Sequence, residues 1–397
     1  MPPVGPELRG RLQAETVQLW SAPGVTDLGI GQPQDAILPA ELLSQALGRV
    51  GEQGLRYPWQ YGHERGDGNL RVELADFLAP RYGCPVDPDL ILVTNGNSQA
   101  IDLCCWTLAA PGDLVFVEEP TYHLAMEIFR DHHLRLVGIP MDQDGLSIEA
   151  LEEELTRHRP AFLYTIPAAQ NPTGATLSSG RRRRLVELAQ RHGFLVVADE
   201  VYHLLQYAPA GAGGRPAGPE PMAAYVDSGV VLSLGTFSKI LAPGLRLGWL
   251  QAARPLIERL ESRGFIVSGG GLNPVPAAVV ARVLAEGSAA QYLASLLPLF
   301  RRRVEAMDAG LRAALPQEVT WSTPDGGYFF WLRFPAGVDT GAVLPTAREL
   351  GVGYAPGSKF SSSGGLSNHL RLSYAYYGDD ELAAAVATLG RAFAEPQ

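Results

Sequence analysis

Lysine is nearly absent from this chain of 397 residues: of its 32 basic residues, only Lys239 and Lys359 are lysines. Arginine keeps its proton near neutral pH and cannot act as an amine nucleophile, so any amine chemistry falls to one of these two. Genomic bias with two leftover lysines explains the same count, and composition by itself favours it. Cysteine is scarce too. Cys84, Cys104 and Cys105 cannot build a disulfide framework, and their spacing suits no zinc site. No run reaches the roughly 18 apolar residues of a membrane span. The N-terminal MPPVGPELRGRLQAE has no apolar signal core. Positive charge does not predominate, and a net charge of −10 argues against nucleic-acid and membrane partners. What remains is a globular composition, 46% hydrophobic and 19% charged. A cytoplasmic location is expected.

Short apolar runs alternate with helix-like segments along most of the chain. The strand candidates are 90–96, 113–120, 134–141, 161–167, 194–200, 230–237 and 245–252. Helix candidates lie at 98–110, 124–133, 147–158 and 178–193. Several of the strand runs are continuously apolar, as expected where both faces of a sheet are covered. The alternation predicts an α/β fold, a mostly parallel seven-stranded sheet wrapped by helices. After about residue 275 the pattern changes to a long helical region (275–315), the strands VTWS, GGYFFWLRF and HLRLSYAYY, and a last helix. This predicts a smaller α+β domain. The expected division is an N-terminal arm contributing to the small domain (1–45), a large domain (46–283) and a small C-terminal domain (284–397). The run Arg181–Arg184 reads as a solvated helix face, and 208–221 as an exposed Gly/Pro loop.

In open α/β sheets, ligands bind beyond the carboxyl ends of the strands, and the informative residues lie there. Gly96, Asn97 and Ser98 sit between a strand and a helix start, a place suited to phosphate; an ordinary turn capped by Ser98 is the plainer alternative. Tyr122 follows a strand and has the flat face to stack on a ring. Asn171, in IPAAQNPTG, has an amide for the cleft. Asp199 ends an apolar strand, where a carboxylate is costly without a cation; a protonated pyridine nitrogen is one such cation. Tyr202 follows three residues later. Lys239 lies among Thr236, Ser238 and Arg246, hydroxyls and a guanidinium suited to phosphate. Arg371 stands in an apolar strand with no acidic residue within five positions. A substrate carboxylate and an internal salt bridge are both open to it.

Taken in order, QNPTG, DEVY and GTFSKILAPGLRLGW resemble the fold-type I pyridoxal-phosphate aminotransferases of class I/II. The similarity runs from about Leu28 to the C-terminus. Within that class it looks most like the branch of 2-aminoadipate, kynurenine and aromatic aminotransferases, together with the aminotransferase-like domain of MocR-type regulators. No winged-helix extension accompanies it, so an enzyme is expected. The resemblance implies an amino acid:2-oxo acid aminotransferase using pyridoxal 5'-phosphate, with pyridoxamine phosphate as its half-way form. Lys239 would be the Schiff-base lysine, and Asp199 would hold the pyridine nitrogen protonated. Asn171 and Tyr202 would bond the ring hydroxyl, and Tyr122 would stack on the ring. Asn97, Ser98, Thr236, Ser238 and Arg246 would hold the phosphate. Arg371 would clamp the substrate carboxylate, beside the Gly31 backbone. Tyr61, or Tyr57 four residues earlier, would reach the phosphate of a neighbouring subunit, which implies a homodimer with shared sites. Elimination, decarboxylation, oxidation or C–C bond formation on the same fold remains the alternative. His203 is expected to be structural and Lys359 a surface charge. No metal is expected.

Overall fold

The computed structural model describes residues 23–52, 57–207 and 218–394. Residues 1–22 of the expected arm, and residues 208–217 of the expected loop, lie outside them. The strands in chain order are β1 (Thr26–Asp27), β2 (Ile91–Thr94), β3 (Leu114–Glu119), β4 (Arg135–Asp142), β5 (Gly145–Leu146), β6 (Phe162–Thr165) and β7 (Leu195–Asp199). They continue as β8 (Val231–Thr236), β9 (Gly248–Ala252), β10 (Phe329–Arg333), β11 (Val352–Gly353), β12 (Ala355–Pro356) and β13 (His369–Ser373).

Eight strands form the central sheet, in the order β2-β9-β8-β7-β6-β3-β4-β5. All seven expected strands are in it; the eighth is the two-residue β5, which turns back on β4 as an antiparallel hairpin. From β8 through β4 the neighbours are parallel, while β9 runs antiparallel to both β2 and β8. Alternate residues face opposite sides. Val115 and Val117, Phe162 and Tyr164, and Val197 join one buried cluster. Leu114 and Phe116, Leu163, and Val196 and Ala198 join a second cluster on the other side. Burial on both faces explains the unbroken apolar runs.

Local signals set the helix ends. Ser147 accepts a bond from Ala150 N (3.2 Å) and starts Ile148–Arg157. Gly193, at φ 74°, ends Ser179–His192 in the left-handed conformation that glycine adopts freely. That helix departs from expectation at one position. Its arginine run is not solvated throughout, because Arg182 is fully buried. The helical region expected at 275–315 is two helices, Pro274–Ala285 and Ser288–Ala314, broken at Gly287 with φ 71°.

The C-terminal portion builds a three-stranded antiparallel sheet, β10-β13-β12. The expected VTWS strand makes only a single bridge there, Thr320 to Arg333. Helix Ser288–Ala314 packs against the last helix, Asp379–Ala394. The N-terminal segment returns to this portion, since β1 pairs in parallel with β11. No helix among the described residues is long and apolar enough to cross a membrane.

Candidate active site

The parallel strands end on one edge, and β2 points the same way because it and β8 both oppose β9. Thr94, Glu119, Thr165, Asp199 and Thr236 therefore finish side by side. The loops that follow carry Gly96, Tyr122, Asn171, Tyr202 and Lys239 to a common edge.

Asp199 is 3% exposed. Its carboxylate accepts from Tyr164 OH (2.7 Å) and from Asn97 Nδ2 (2.5 Å). Burial pushes its pKa up to about 6, although both bonds favour the charged form. Among the described residues no cation lies within ion-pair distance of it. This is a carboxylate prepared for a cation from outside the chain. Tyr202 is buried beside the Tyr328 and Phe329 rings, at centroid distances of 5.4 and 6.0 Å. Burial raises its hydroxyl pKa. Neighbouring His203 is buried, held neutral with a pKa near 3, and packs edge-on against Tyr82.

Lys239 Nζ donates to Gly31 O (2.9 Å) and sits 5.3 Å from the Tyr328 ring centroid. Tyr328 OH donates in turn to the Lys239 carbonyl (3.2 Å). Burial, then the positive charge of Arg371, brings the amine pKa down to about 8. The lysine loop is tied internally: Thr236 Oγ1 bonds Ser238 Oγ (3.0 Å) and accepts from Ser238 N (3.1 Å).

Arg246 adopts φ 45° and turns its guanidinium toward Gly96. Gly96 itself has φ 72°, the left-handed conformation that favours glycine, and a Cβ there would lie 3.0 Å from Arg246 Nη2. Helix Gly96–Leu108 begins with no side-chain cap from Asn95, and Ser98 is exposed in its first turn. Free N–H groups, hydroxyls and a guanidinium make an anion cradle. Asn97 also meets Asp199: one N–H of its side-chain amide donates to that carboxylate.

Arg371 is 4% exposed on β13. Nη1 donates to Asn171 Oδ1 (2.8 Å) and Nη2 to Gly29 O (2.6 Å), while Nε has no partner among the described residues. Phe329 and Phe360 cover the guanidinium, with ring centroids 4.0 and 4.8 Å from its carbon. Burial pulls its pKa down to about 10. Among the described residues no carboxylate pairs with it, so an internal salt bridge is not its role. Gly31 lies between the two cations: its carbonyl binds Lys239, and a Cβ on it would meet the Phe329 ring at 3.0 Å and Arg371 Nη2 at 3.7 Å.

Tyr122 precedes helix His123–Asp131, its ring edge-on to His123. Tyr61 stands apart, 81% exposed on the wall of a cleft of about 590 Å³ that Tyr57 shares. Lys359 is exposed. The sequence reading missed Tyr164, Tyr328, Phe329 and Phe360. Tyr164 lies within β6, Tyr328 and Phe329 at the start of β10, and Phe360 shortly after β12, and nothing beyond position in the sequence marked them.

The family described as aminotransferase class I and II matches residues 23–389. Aromatic-amino-acid aminotransferase 1 of Thermococcus litoralis is 33% identical over 96% of this chain and 91% of its own. The 2-aminoadipate transaminase of Thermus thermophilus is 32% identical over 96% and 94%. Among solved structures, the kynurenine aminotransferase of Pyrococcus horikoshii, in complex with PMP, superposes with a TM-score of 0.88 at 31% identity, covering 99% of this chain and 95% of that one. An acid waiting for a cation, an anion cradle and a depressed amine suit pyridoxal phosphate, and the chain belongs to the class I and II aminotransferases, enzymes of fold type I that use this cofactor.

Proposed function

We propose that this protein moves α-amino groups between amino acids and 2-oxo acids, as a cytoplasmic homodimer, with Lys239 as the amine that carries the cofactor. The observation that supports this most is Lys239 itself, a rare lysine whose buried amine donates to Gly31 O and whose pKa burial brings down to about 8. When bound, pyridoxal phosphate supplies an electron sink for the electrons of a broken Cα–H bond.

The chain's own residues do the rest. The Asp199 carboxylate, steadied by Tyr164 and Asn97, would hold a proton on the ring nitrogen. Tyr122 would cover the ring, and Asn171 and Tyr202 would face its hydroxyl. Backbone N–H groups at Gly96–Ser98, the Thr236 and Ser238 hydroxyls and Arg246 would hold the phosphate. Arg371 takes the substrate carboxylate on its free N–H groups beside Gly31. That would fix the α-carbon within reach of Lys239 Nζ, the base that would take the α-proton and give it back. The small domain (284–397), with the arm before residue 46, closes one side of the site built on the large domain (46–283).

Borohydride reduction and peptide mapping test the attachment: the pyridoxyl group is expected on Lys239, and finding it on Lys359 overturns the reading. Conversion of the cofactor to pyridoxamine phosphate by amino acid alone, reversed by a 2-oxo acid, distinguishes transamination from elimination or decarboxylation. Aromatic amino acids, 2-aminoadipate and kynurenine, the compounds named for the relatives, head the substrate panel. The exposed Tyr61 supports the dimer, since it would reach a neighbour's phosphate. Tyr61→Phe is expected to weaken cofactor affinity by about 1.5–3 kcal/mol with the dimer intact. Unchanged affinity by equilibrium titration transfers the role to Tyr57.

A further inference from the structure

Two adjacent carboxylates close β3, and neither has a place in the chemistry above. Successive strand residues point to opposite faces, so Glu118 and Glu119 reach in different directions. Glu118 is 1% exposed. It accepts from Thr165 Oγ1 (2.5 Å), Ile166 N (3.1 Å) and Gln170 Nε2 (2.9 Å). Gln170 is itself fully buried. It also donates to Pro120 O (2.8 Å), and it accepts from Thr173 N (2.9 Å) and Thr173 Oγ1 (2.8 Å). The loop carrying Asn171 is thus pinned at the residue before it. Asn171 Oδ1 then receives Nη1 of Arg371.

Glu119 points the other way, onto the segment after β12. It accepts from Ser361 Oγ (2.5 Å), Ser362 N (2.8 Å) and Ser362 Oγ (2.6 Å). Beside it, Thr121 N donates to Phe360 O (2.9 Å). Phe360 is fully buried, and its ring covers the guanidinium of Arg371. Both routes end on the same side chain, one through a hydrogen-bond acceptor in the guanidinium plane and one through an aromatic ring over its face.

We propose that Glu118 and Glu119 are positioning residues for Arg371: Glu118 sets the Asn171 amide that receives Nη1, and Glu119 seats the Phe360 ring that covers the guanidinium. The proposal rests on the reading of Arg371 as the substrate-carboxylate clamp. It adds that the clamp is oriented from two sides by one strand end, through Asn171 and Phe360, although β3 and Arg371 lie far apart along the chain.

The test uses the holoenzyme. Glu119→Ala changes a partly exposed carboxylate. Glu118→Leu removes the buried acceptor, and Glu118→Gln keeps its shape and one accepting oxygen. KM and kcat are measured with the amino acid of highest turnover in the panel. Affinity is read separately by spectral titration with 2-methylalanine, whose α-carbon bears no hydrogen. Glu119→Ala and Glu118→Leu are expected to raise KM and the 2-methylalanine Kd roughly tenfold, with kcat changed by less than about threefold. Glu118→Gln is expected to stay near wild type. In an Arg371→Lys background each effect is expected to shrink to within about twofold, because the shared target is gone.

An unchanged KM and Kd in Glu119→Ala overturns the proposal, as does an equal loss in both backgrounds. If Glu118→Leu does not fold, Glu119→Ala and its Arg371→Lys cycle decide the matter. A wild type that binds 2-methylalanine but transaminates nothing in the panel overturns the aminotransferase reading instead, and the Kd comparison still reports on the clamp.

Discussion

Among the buried arginines, Arg182 lies under the central sheet and Arg371 lies at its working edge. Arg182 donates to three carbonyls, those of Leu177 (2.8 Å), Glu220 (2.8 Å) and Pro167 (2.5 Å). The Glu200 carboxylate stands 3.7 Å away. Glu200 is completed in turn by Met222 N, Ala223 N and Ser233 Oγ. Arg371 has two acceptors, an unpartnered Nε and aromatic rings over its guanidinium. Burial alone therefore does not mark a functional charge. A buried donor set with room for one more anion does.

Arg182→Met should sharpen that contrast most. It leaves Glu200 buried without its cation, a loss on the order of 3–5 kcal/mol, and a clear fall in the unfolding midpoint is expected. The folded fraction should keep near-native turnover per bound cofactor. An unchanged midpoint would mean that Arg182 is not the structural charge described here. Arg371→Lys should do the reverse. It keeps the charge and loses the planar fork, so kcat/KM should fall tenfold to a thousandfold, roughly 1.4–4 kcal/mol, with the unfolding midpoint held. Normal transamination by this variant would remove Arg371 from the site.

The smallest effect concerns Asp199, a buried acid also lacking its counter-ion. Its folded pKa, near 6, is raised from 3.8. In the cofactor-free protein its stability contribution is therefore intact below about pH 3.8 and is lost as pH rises through 6. Asp199→Asn removes that loss. The cofactor-free variant should be more stable than wild type at pH 8, by on the order of 1–3 kcal/mol, and equal to it near pH 4. With cofactor the order should invert, because the ring nitrogen loses its partner. Equal thermal midpoints at pH 8 without cofactor would show that this carboxylate carries no such strain.

Much of this was legible from the sequence because it is local. The run FLVVADE marks β7 and puts Asp199 at its end; NGNSQ marks a strand-to-helix turn; and the scarcity of lysine drew attention to Lys239. The arginine run at 181–184 misled, because periodicity could not show that one member of four turns under the sheet to meet Glu200. Asn97 was placed with the phosphate by its turn, yet its side chain reaches Asp199, 102 positions away.

Local sequence was enough for the alternation of strands and helices, the residue at each strand end, and the family through three ordered motifs. Each of these is encoded within a few neighbouring residues, where apolar periodicity and turn chemistry act. Tertiary structure alone decided which side chains meet: Lys239 with the carbonyl of Gly31, Arg371 with Asn171 and Gly29, Tyr164 with Asp199, and Glu119 with Ser361 and Ser362. Those pairings span up to 342 positions. They follow from strand order and register, which bring distant segments to one edge and let burial, rather than sequence proximity, choose each partner.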